Sequence, residues 1–165
     1  CGRSSWFVDI DSFMGSAGCP VHERRFRCAV GYLTSGMLDF SGPIETLDKL
    51  ALSDYRRLCQ RCDQGGTVRV PDREAFFGVP LPRILVRLHS ADSITRRKHG
   101  VQATVGLFNW QEAACISGVS LAGLGLKTRA AGVRDFWTGR TIRAADGRLN
   151  VELPPRHHVM VDVMA

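Results

Sequence analysis

The sequence lacks an apolar run that approaches the roughly 20 residues needed to cross a bilayer as a helix. It also lacks a charged-then-apolar leader: the chain begins at Cys1, and no secretory signal pattern follows. These absences exclude a visible membrane-spanning helix and a visible signal peptide, and they predict no membrane partner. We expect either a processed chain or a piece of a longer protein, and the compartment stays undetermined.

A repeated metal-binding pattern is also missing, although the chain contains six cysteines. Cys59 and Cys62 have the spacing of half a zinc site, but no second pair has that spacing, and His22 and His89 are far away along the chain. At the end of a predicted helix these two thiols share a face, where side chains usually pack or lie in solvent. We therefore predict no metal site and no cofactor. The spacings do not match a small secreted disulfide framework either.

The basic residues are not concentrated in one part of the sequence. The formal net charge is +6, which raises the question of a nucleic-acid partner. However, the basic residues are scattered, and the densest group, residues 96–98, falls in a predicted loop without interleaved aromatic residues. We interpret the charge as a solvated surface and predict no nucleic-acid partner.

The chain changes character near residues 63–66. Before this point, short apolar runs at 5–10 and 37–40 alternate with helical patterns at 20–34 and 45–61, the second with a break at Ser53 and Asp54. This βαβα order is typical of a parallel sheet. Two such units can neither cover a parallel sheet on both faces nor close an eight-stranded barrel. The front segment is therefore predicted to be incomplete.

The second part of the chain has the pattern of short antiparallel strands. After a linker at 72–82, alternating residues such as Ile84, Val86 and Leu88 indicate strands with one buried face. The predicted strands are 67–70, 83–89, 102–110, 115–121, 133–137, 141–144, 149–153 and 158–164. We predict an α+β fold, with a βαβα segment at residues 1–65 and an antiparallel β-sandwich at residues 66–165.

Four ordered motifs in the second part resemble a known family. They are VGLFNW at residues 105–110, VSLAGLGL at 119–126, VRDFWTG at 133–139, and VELPP at 151–155 with His157 and His158 after it. Together they resemble the C-terminal β-sandwich of α-galactosidase-like (melibiase) glycoside hydrolases. WFVDID at residues 6–11 and MLDFSGP at 37–43 are similar to the seventh and eighth βα units of that family's catalytic (β/α)8 barrel. The resemblance thus implies an incomplete barrel joined to its trailing sandwich.

The resemblance also implies an activity for the intact parent. Enzymes of this family hydrolyse α-galactosides or related α-glycosides with retention, through two aspartates that act as nucleophile and as acid–base. In the family these aspartates follow the fourth and sixth barrel strands, which would precede Cys1. The implied chain therefore contains no catalytic residue and is inactive alone. Its implied partners are the rest of the catalytic barrel and, through the intact parent, an α-galactoside-like carbohydrate.

Two aspartates end the first predicted strand, at the edge where barrel active sites are built. In the family the second aspartate of the matching motif lines the sugar pocket, so the resemblance implies substrate binding by Asp11 and, more weakly, by Asp9. The family has Met directly after that aspartate, whereas this chain has Ser12. The alternative is an aspartate that caps the next loop or helix. Asp39, after the second predicted strand, is a weaker candidate of the same kind.

The sandwich motifs contain four aromatic residues with two alternative roles. They either present a sugar-stacking platform or fill the sandwich core and its contact with the barrel: Phe108, Trp110, Phe136 and Trp137. We predict the packing role. His157 and His158 are not predicted to bind a metal, because neighbours on a strand point to opposite faces.

Two other functions stay open at this point. One is a non-catalytic carbohydrate-binding or interaction module that uses the sandwich alone. The other is an independent enzyme that uses Asp9, Asp11 and Asp39, although the segment lacks the walls of a complete pocket. The inactive fragment of a hydrolase is the interpretation that the motifs favour.

Overall fold

The structure is a computed structural model of the 165-residue chain. It describes residues 9–10, 18–34, 37–38, 44–61, 66–72, 81–126 and 132–165, and at 9–10 and 37–38 the backbone alone. The helices are α1 (Val21–Leu33), α2 (Lys49–Arg61) and α3 (Ile94–His99). The strands are β1 (Asp9–Ile10), β2 (Met37–Leu38), β3 (Thr67–Arg69), β4 (Ile84–Leu88), β5 (Val101–Phe108), β6 (Cys115–Ser120), β7 (Val133–Asp135), β8 (Arg148–Leu153) and β9 (His158–Met164). No helix in the described ranges is long and apolar enough to cross a membrane.

The front segment consists of two βα units. β1 and β2 pair in parallel, with Asp9 opposite Met37, and α1 connects them. α1 begins after Pro20, whose restricted φ suits a helix start. It ends at Thr34, whose hydroxyl donates a hydrogen bond to the Val30 carbonyl at 2.9 Å. The strand–helix–strand order that the sequence predicts is therefore present.

α2 is continuous, so the predicted break at Ser53 and Asp54 is wrong. Asp48 stabilises the start of the helix, because its Oδ1 accepts a hydrogen bond from the Ala51 amide at 2.6 Å. Asp54 interrupts the apolar pattern but not the helix. Its buried carboxylate pairs with Arg25 of α1. This ion pair offsets the desolvation cost of a carboxylate on the packed face of the helix.

The second part of the chain folds into two antiparallel sheets. The larger sheet has the strand order β3-β4-β5-β9-β7, and the smaller sheet pairs β6 with β8. β5 and β9 form the centre of the larger sheet and pair from Ala103 opposite Val163 to Phe108 opposite His158. The α+β fold class, with two βα units ahead of an antiparallel sandwich, is confirmed.

Two segments differ from the sequence prediction. Residues 96–98 lie on α3, not in a loop, because Ser93 Oγ accepts a hydrogen bond from the Arg96 amide at 3.1 Å and Gly100, at φ 65°, ends the helix. The strand predicted at 141–144 is also wrong: in the described part of this segment, Thr141 makes one isolated bridge to Arg134. Gly139, at φ 73°, turns the chain directly before this bridge.

Both faces of the larger sheet are covered, and all eight residues of β5 are buried. Ala103, Val105 and Leu107 face the smaller sheet and belong to the sandwich core. Phe108 faces α1 and α2 on the other side, and so does Thr104, which contacts Asp162. This alternation is the period of two that a strand imposes on its side chains.

The contact between the two helices and the larger sheet is a second core, which we call the seam. The helices and the sheet each contribute buried side chains to it: Cys28, Ala29, Tyr32, Leu33, Ala51 and Leu58 from the helices, and Leu85, Phe108, Phe136, Trp137 and Met160 from the other side. The predicted division at residues 65 and 66 falls between α2, which ends at Arg61, and β3, which begins at Thr67. Across the seam, the two parts share one apolar core.

Gly106 of β5 provides a test of how tightly the seam is packed. A Cβ atom at this position would overlap Leu33 and come within 2.7 Å of the Phe108 ring. We expect Gly106→Ala to lower the free energy of unfolding by about 1–3 kcal/mol, because the seam would have to open. Denaturant unfolding measures this change. The matched control is Gly123→Ala, where the nearest atom would lie at 3.4 Å, and a control that loses as much stability would contradict tight packing at the seam.

Candidate functional site

The site residues that the sequence predicts lie at the end of β1. Asp9 is in this strand, opposite Met37 of β2. Asp11 and Asp39, which follow β1 and β2 in the sequence, are outside the described residues, and of Asp9 the structure describes the backbone alone. Because parallel neighbours bring their carboxyl ends to one edge of a sheet, this edge remains the place for a site of the predicted kind. The sugar-binding roles of Asp9 and Asp11 stay predictions.

The aromatic residues of the sandwich motifs are packed inside the seam. Phe108 and Phe136 are fully buried, and Trp137 is 8% exposed. Trp110 is partly buried, and its indole N–H donates a hydrogen bond to the Pro82 carbonyl at 2.8 Å. Phe26 of α1 meets the rings of Phe108 and Trp110 edge-on, at centroid distances of 5.2 and 4.7 Å. The rings therefore pack against α1 and do not form an exposed platform for a sugar.

The seam also contains paired charges. Arg25 donates two hydrogen bonds to Asp54, from Nε at 2.8 Å and from Nη2 at 2.9 Å. Arg61 of α2 contacts Asp162 of β9 at 3.0 Å. Burial raises the pKa of Asp162, and the Arg61 charge and a hydrogen bond from Thr104 oppose that rise. These pairs join the helices to each other and to the sheet.

A cleft of about 360 Å³ opens at one end of the seam. Its polar lining comes from α1 and from the segments next to β7 and β9: His22, Arg25, Asp135, Trp137, His157 and His158. The rings of His22 and His157 stack at a centroid distance of 4.5 Å. Asp135 already accepts two hydrogen bonds from Thr138, both at 2.7 Å. Of the residues described at this cleft, Asp135 is the one carboxylate, so the paired carboxyl groups of a glycosidase are not assembled here.

His158 of β9 is half-buried, and its ring stacks on Phe108 at a centroid distance of 5.8 Å. Burial is the main cause that lowers its pKa to about 3, and the neighbouring charges of His157, Arg25 and His22 lower it further. Its ring is therefore neutral near pH 7 and does not serve as a general acid there. The cleft contains packing aromatics and a neutral imidazole in place of an acid–base pair.

The cysteines do not form a site in the described ranges. No group of three or more His, Cys, Asp or Glu residues that could hold a metal ion occurs there. Cys59 is exposed near the end of α2, and Cys62 is outside the described residues. Cys28 is buried in the seam, where burial first, and the Asp54 charge second, raise the pKa of its thiol well above its usual range. A thiol of this kind is a packing group and a poor nucleophile.

Sequence analysis missed the polar contacts of the seam, although the signals were present. Asp54 is three residues after Ala51 and four before Leu58, so it lies on the apolar face of α2 and needs a cation. His158 shares the parity of Met160 and Asp162 along β9, which places all three on the helix side of the sheet. The partner of Asp54 could not be inferred, because Arg25 is 29 residues away.

Comparison with known proteins identifies the architecture. No protein-family model matches the sequence, and no curated protein is similar to it. Among solved structures, a GH27 β-L-arabinopyranosidase from Geobacillus stearothermophilus matches with a TM-score of 0.70 and 17% identity, over 97% of this chain and 37% of that chain. α-Galactosidase I from Mortierella vinacea matches with a TM-score of 0.65 and 12% identity, over 99% and 41%.

A third structure, an isomalto-dextranase from Arthrobacter globiformis T6 in complex with panose, matches with a TM-score of 0.65 and 18% identity, over 99% of this chain and 27% of that chain. The chain thus spans less than half the length of each of these three proteins. At such identities the likeness establishes the fold. The resemblance carried by the sequence motifs is confirmed at that level: the chain has the architecture of part of an α-galactosidase-like glycoside hydrolase.

The half-buried His158, with its lowered pKa, predicts a pH dependence of stability. Its pKa is lowered from 6.5 to about 3 in the folded protein, so the unfolded chain binds a proton that the folded chain does not. This contribution is fully present above pH 6.5 and is lost as the pH falls towards 3, by up to about 1.4 kcal/mol per pH unit. His158→Phe, which suits the surrounding aromatic rings, should weaken the pH dependence in this window.

Denaturant unfolding of the wild type and the variant between about pH 7 and pH 4 measures the difference. The matched control is His157→Gln, which changes the neighbouring residue and keeps the buried imidazole. It should show nearly the wild-type dependence. The same pH dependence in His158→Phe and the wild type would contradict a lowered pKa of His158 in the folded protein.

Proposed function

We propose that the chain is the carboxy-terminal part of an α-galactosidase-like glycoside hydrolase, and that the intact protein hydrolyses α-galactosides or related glycosides. The observation that carries the proposal is one continuous architecture: two βα units, a seam and a sandwich, matched over 97% of the chain by a GH27 enzyme. The family motifs lie in the same order on this architecture. The sandwich alone is a common fold that many protein families share. Its attachment to two parallel βα units reduces the number of families that fit.

The rest of a catalytic barrel is the first partner in this proposal. β1 and β2 form a two-stranded parallel sheet, and in the described residues neither strand pairs with a further strand. Isolated parallel pairs are rare, because parallel sheets bury both faces and extend over several strands. In a barrel, further strands would pair with the outer edges of β1 and β2 and accept their backbone hydrogen bonds. It would also supply the two catalytic aspartates, which the family places after earlier strands.

The sugar pocket of the intact enzyme would include the carboxyl end of β1. A carboxylate at this edge can accept hydrogen bonds from sugar hydroxyl groups, and such charge-assisted bonds are the strong ones. Asp11 is proposed for this role and Asp9 for a weaker one. The parallel pairing of β1 with β2 supports the location, since it is the pairing that a barrel requires.

The alternative, a carbohydrate-binding module based on the sandwich, has less support. Aromatic sugar platforms need exposed ring faces, and the aromatic residues of the motifs are used inside the seam. One large apolar side chain stands out on the sandwich surface, Ile116, which is 80% exposed. It is aliphatic and offers no ring face for a pyranose.

Hydrolysis of an aryl glycoside tests the proposal. The 165-residue chain should release no nitrophenol from 4-nitrophenyl α-galactoside, because it lacks the two acids of the reaction. The product of the longer reading frame should be active, and the codons upstream of Cys1 should encode a barrel with aspartates after its fourth and sixth strands. Turnover by the chain alone, or an upstream sequence without such a barrel, would overturn the proposal. Retention of a galactoside resin without turnover would favour the binding module instead.

The pocket role of Asp11 is tested in the longer protein. We expect Asp11→Asn to lower kcat/KM by about tenfold to a hundredfold, since it weakens hydrogen bonds to a charged acceptor, and Asp9→Asn to have a smaller effect. The matched control is Asp146→Asn, an exposed turn residue at φ 50°, a conformation that Asn adopts readily. If Asp11→Asn keeps full activity, the residue caps a neighbouring loop or helix and does not bind sugar.

A further inference from the structure

A second cleft, of about 430 Å³, lies between α2 and the end of α3, and its lining is basic. Four cations of α2 contribute to it, Lys49, Arg56, Arg57 and Arg61, together with His99 of α3. The residues of α2 recur at spacings that bring them to one side of the helix. No carboxylate occurs among the lining residues that the structure describes. We call this feature the basic cleft.

Two of these cations have structural partners at the back of the cleft. Arg57 donates a hydrogen bond to the Phe136 carbonyl at 2.9 Å, and Arg61 contacts Asp162 at 3.0 Å. These contacts fix both guanidinium groups at the back of the cleft. Nη1 of Arg61 is buried, and no described residue accepts a hydrogen bond from it. The back of the cleft is therefore held in place by two positioned cations.

In the described part of the chain, no structural role is evident for the other two cations of α2, Lys49 and Arg56. Lys49 is in the first turn of α2, where the helix dipole disfavours a positive charge. The carboxylate of Asp48, which precedes it, binds the Ala51 amide and lies 3.9 Å from Arg24. Arg56 is exposed in the middle of the helix. At Lys49, helix stability alone would favour a neutral or acidic residue.

The pKa of His99 reports the positive potential in the basic cleft. It is lowered first by burial and then by the charges of Arg61, Lys98 and Arg57. A histidine that is repelled by several cations has no compensating anion close by. A bound anion would reverse this effect and favour the protonated ring.

We propose that the basic cleft binds a small phosphate-type oxyanion, either free phosphate or the phosphate group of a small ester. Arginine guanidinium groups bind such oxygens with two parallel hydrogen bonds, and the lysine adds a point charge. Ser53 and Gln60, which also line the cleft, provide neutral donors. Although the α2 cations follow one side of the helix, they line one concave space together with His99, which favours a compact anion over a nucleic-acid backbone. The proposal does not depend on the hydrolase function.

Titration of the 165-residue chain with inorganic phosphate tests the proposal, at constant ionic strength maintained with sodium chloride. Calorimetry should show saturable binding of one phosphate, and NMR should show a shift of the His99 ring signals. Lys49→Gln combined with Arg56→Gln should weaken binding at least tenfold. The matched control, Arg140→Gln combined with Arg143→Gln, removes the same charge from two exposed positions elsewhere and should bind like the wild type.

Glucose 6-phosphate in a parallel titration distinguishes the two sources of the anion. Tighter binding of the ester indicates a phosphate ester, and equal or weaker binding indicates free phosphate; both support the site. Equal weakening in the two double variants would show general charge attraction and overturn the proposal. Absence of saturable binding would overturn it too, as would a short DNA duplex that binds and is not displaced by phosphate.

Discussion

The larger sheet needs cover on both of its faces, and most of the architecture follows from that need. β5 runs through the centre of this sheet with every residue buried. Its outer face carries Phe108, and Met160 of β9 and Leu85 of β4 extend the same apolar surface. The smaller sheet covers the opposite face only. α1 and α2 therefore stabilise the sandwich itself, because without them the second apolar face of the larger sheet would be exposed to water.

Charged residues determine how the helices sit on that surface. An apolar contact alone tolerates small rotations and shifts, whereas a buried ion pair is costly unless its geometry is kept. Arg25 and Asp54 tie α1 to α2, and Arg61 with Asp162 ties α2 to β9. Thr104 completes the second contact with a hydrogen bond of 2.9 Å to Asp162. We interpret these pairs as setting the register of the seam, while the aromatic and aliphatic contacts supply most of its free energy.

Much of the fold and the packing role of the motif aromatics could be predicted from the sequence, whereas the ion pairs of the seam could not. The alternation of Ile84, Val86 and Leu88 identified a strand and its core face correctly, because that periodicity is a property of the backbone. α3 was missed because a six-residue helix gives no periodic apolar signal. The sequence marks only its two ends, with Ser93 before the first residue and Gly100 after the last. The partners of Asp54 and Asp162 come from distant parts of the chain, so local spacing could not pair them.

The aromatic residues of two family-like motifs lie together at the seam. VGLFNW and VRDFWTG contain Phe108, Trp110, Phe136 and Trp137, which all pack at the seam. A site where helices, strands and aromatic rings meet at fixed angles accepts few substitutions, whereas a sandwich core accepts many apolar residues of similar volume. Both motifs therefore belong to the contact between the βα units and the sandwich. In the proposed hydrolase, the sandwich would support the barrel through this seam, and the sugar-binding residues would lie at the strand ends of the barrel.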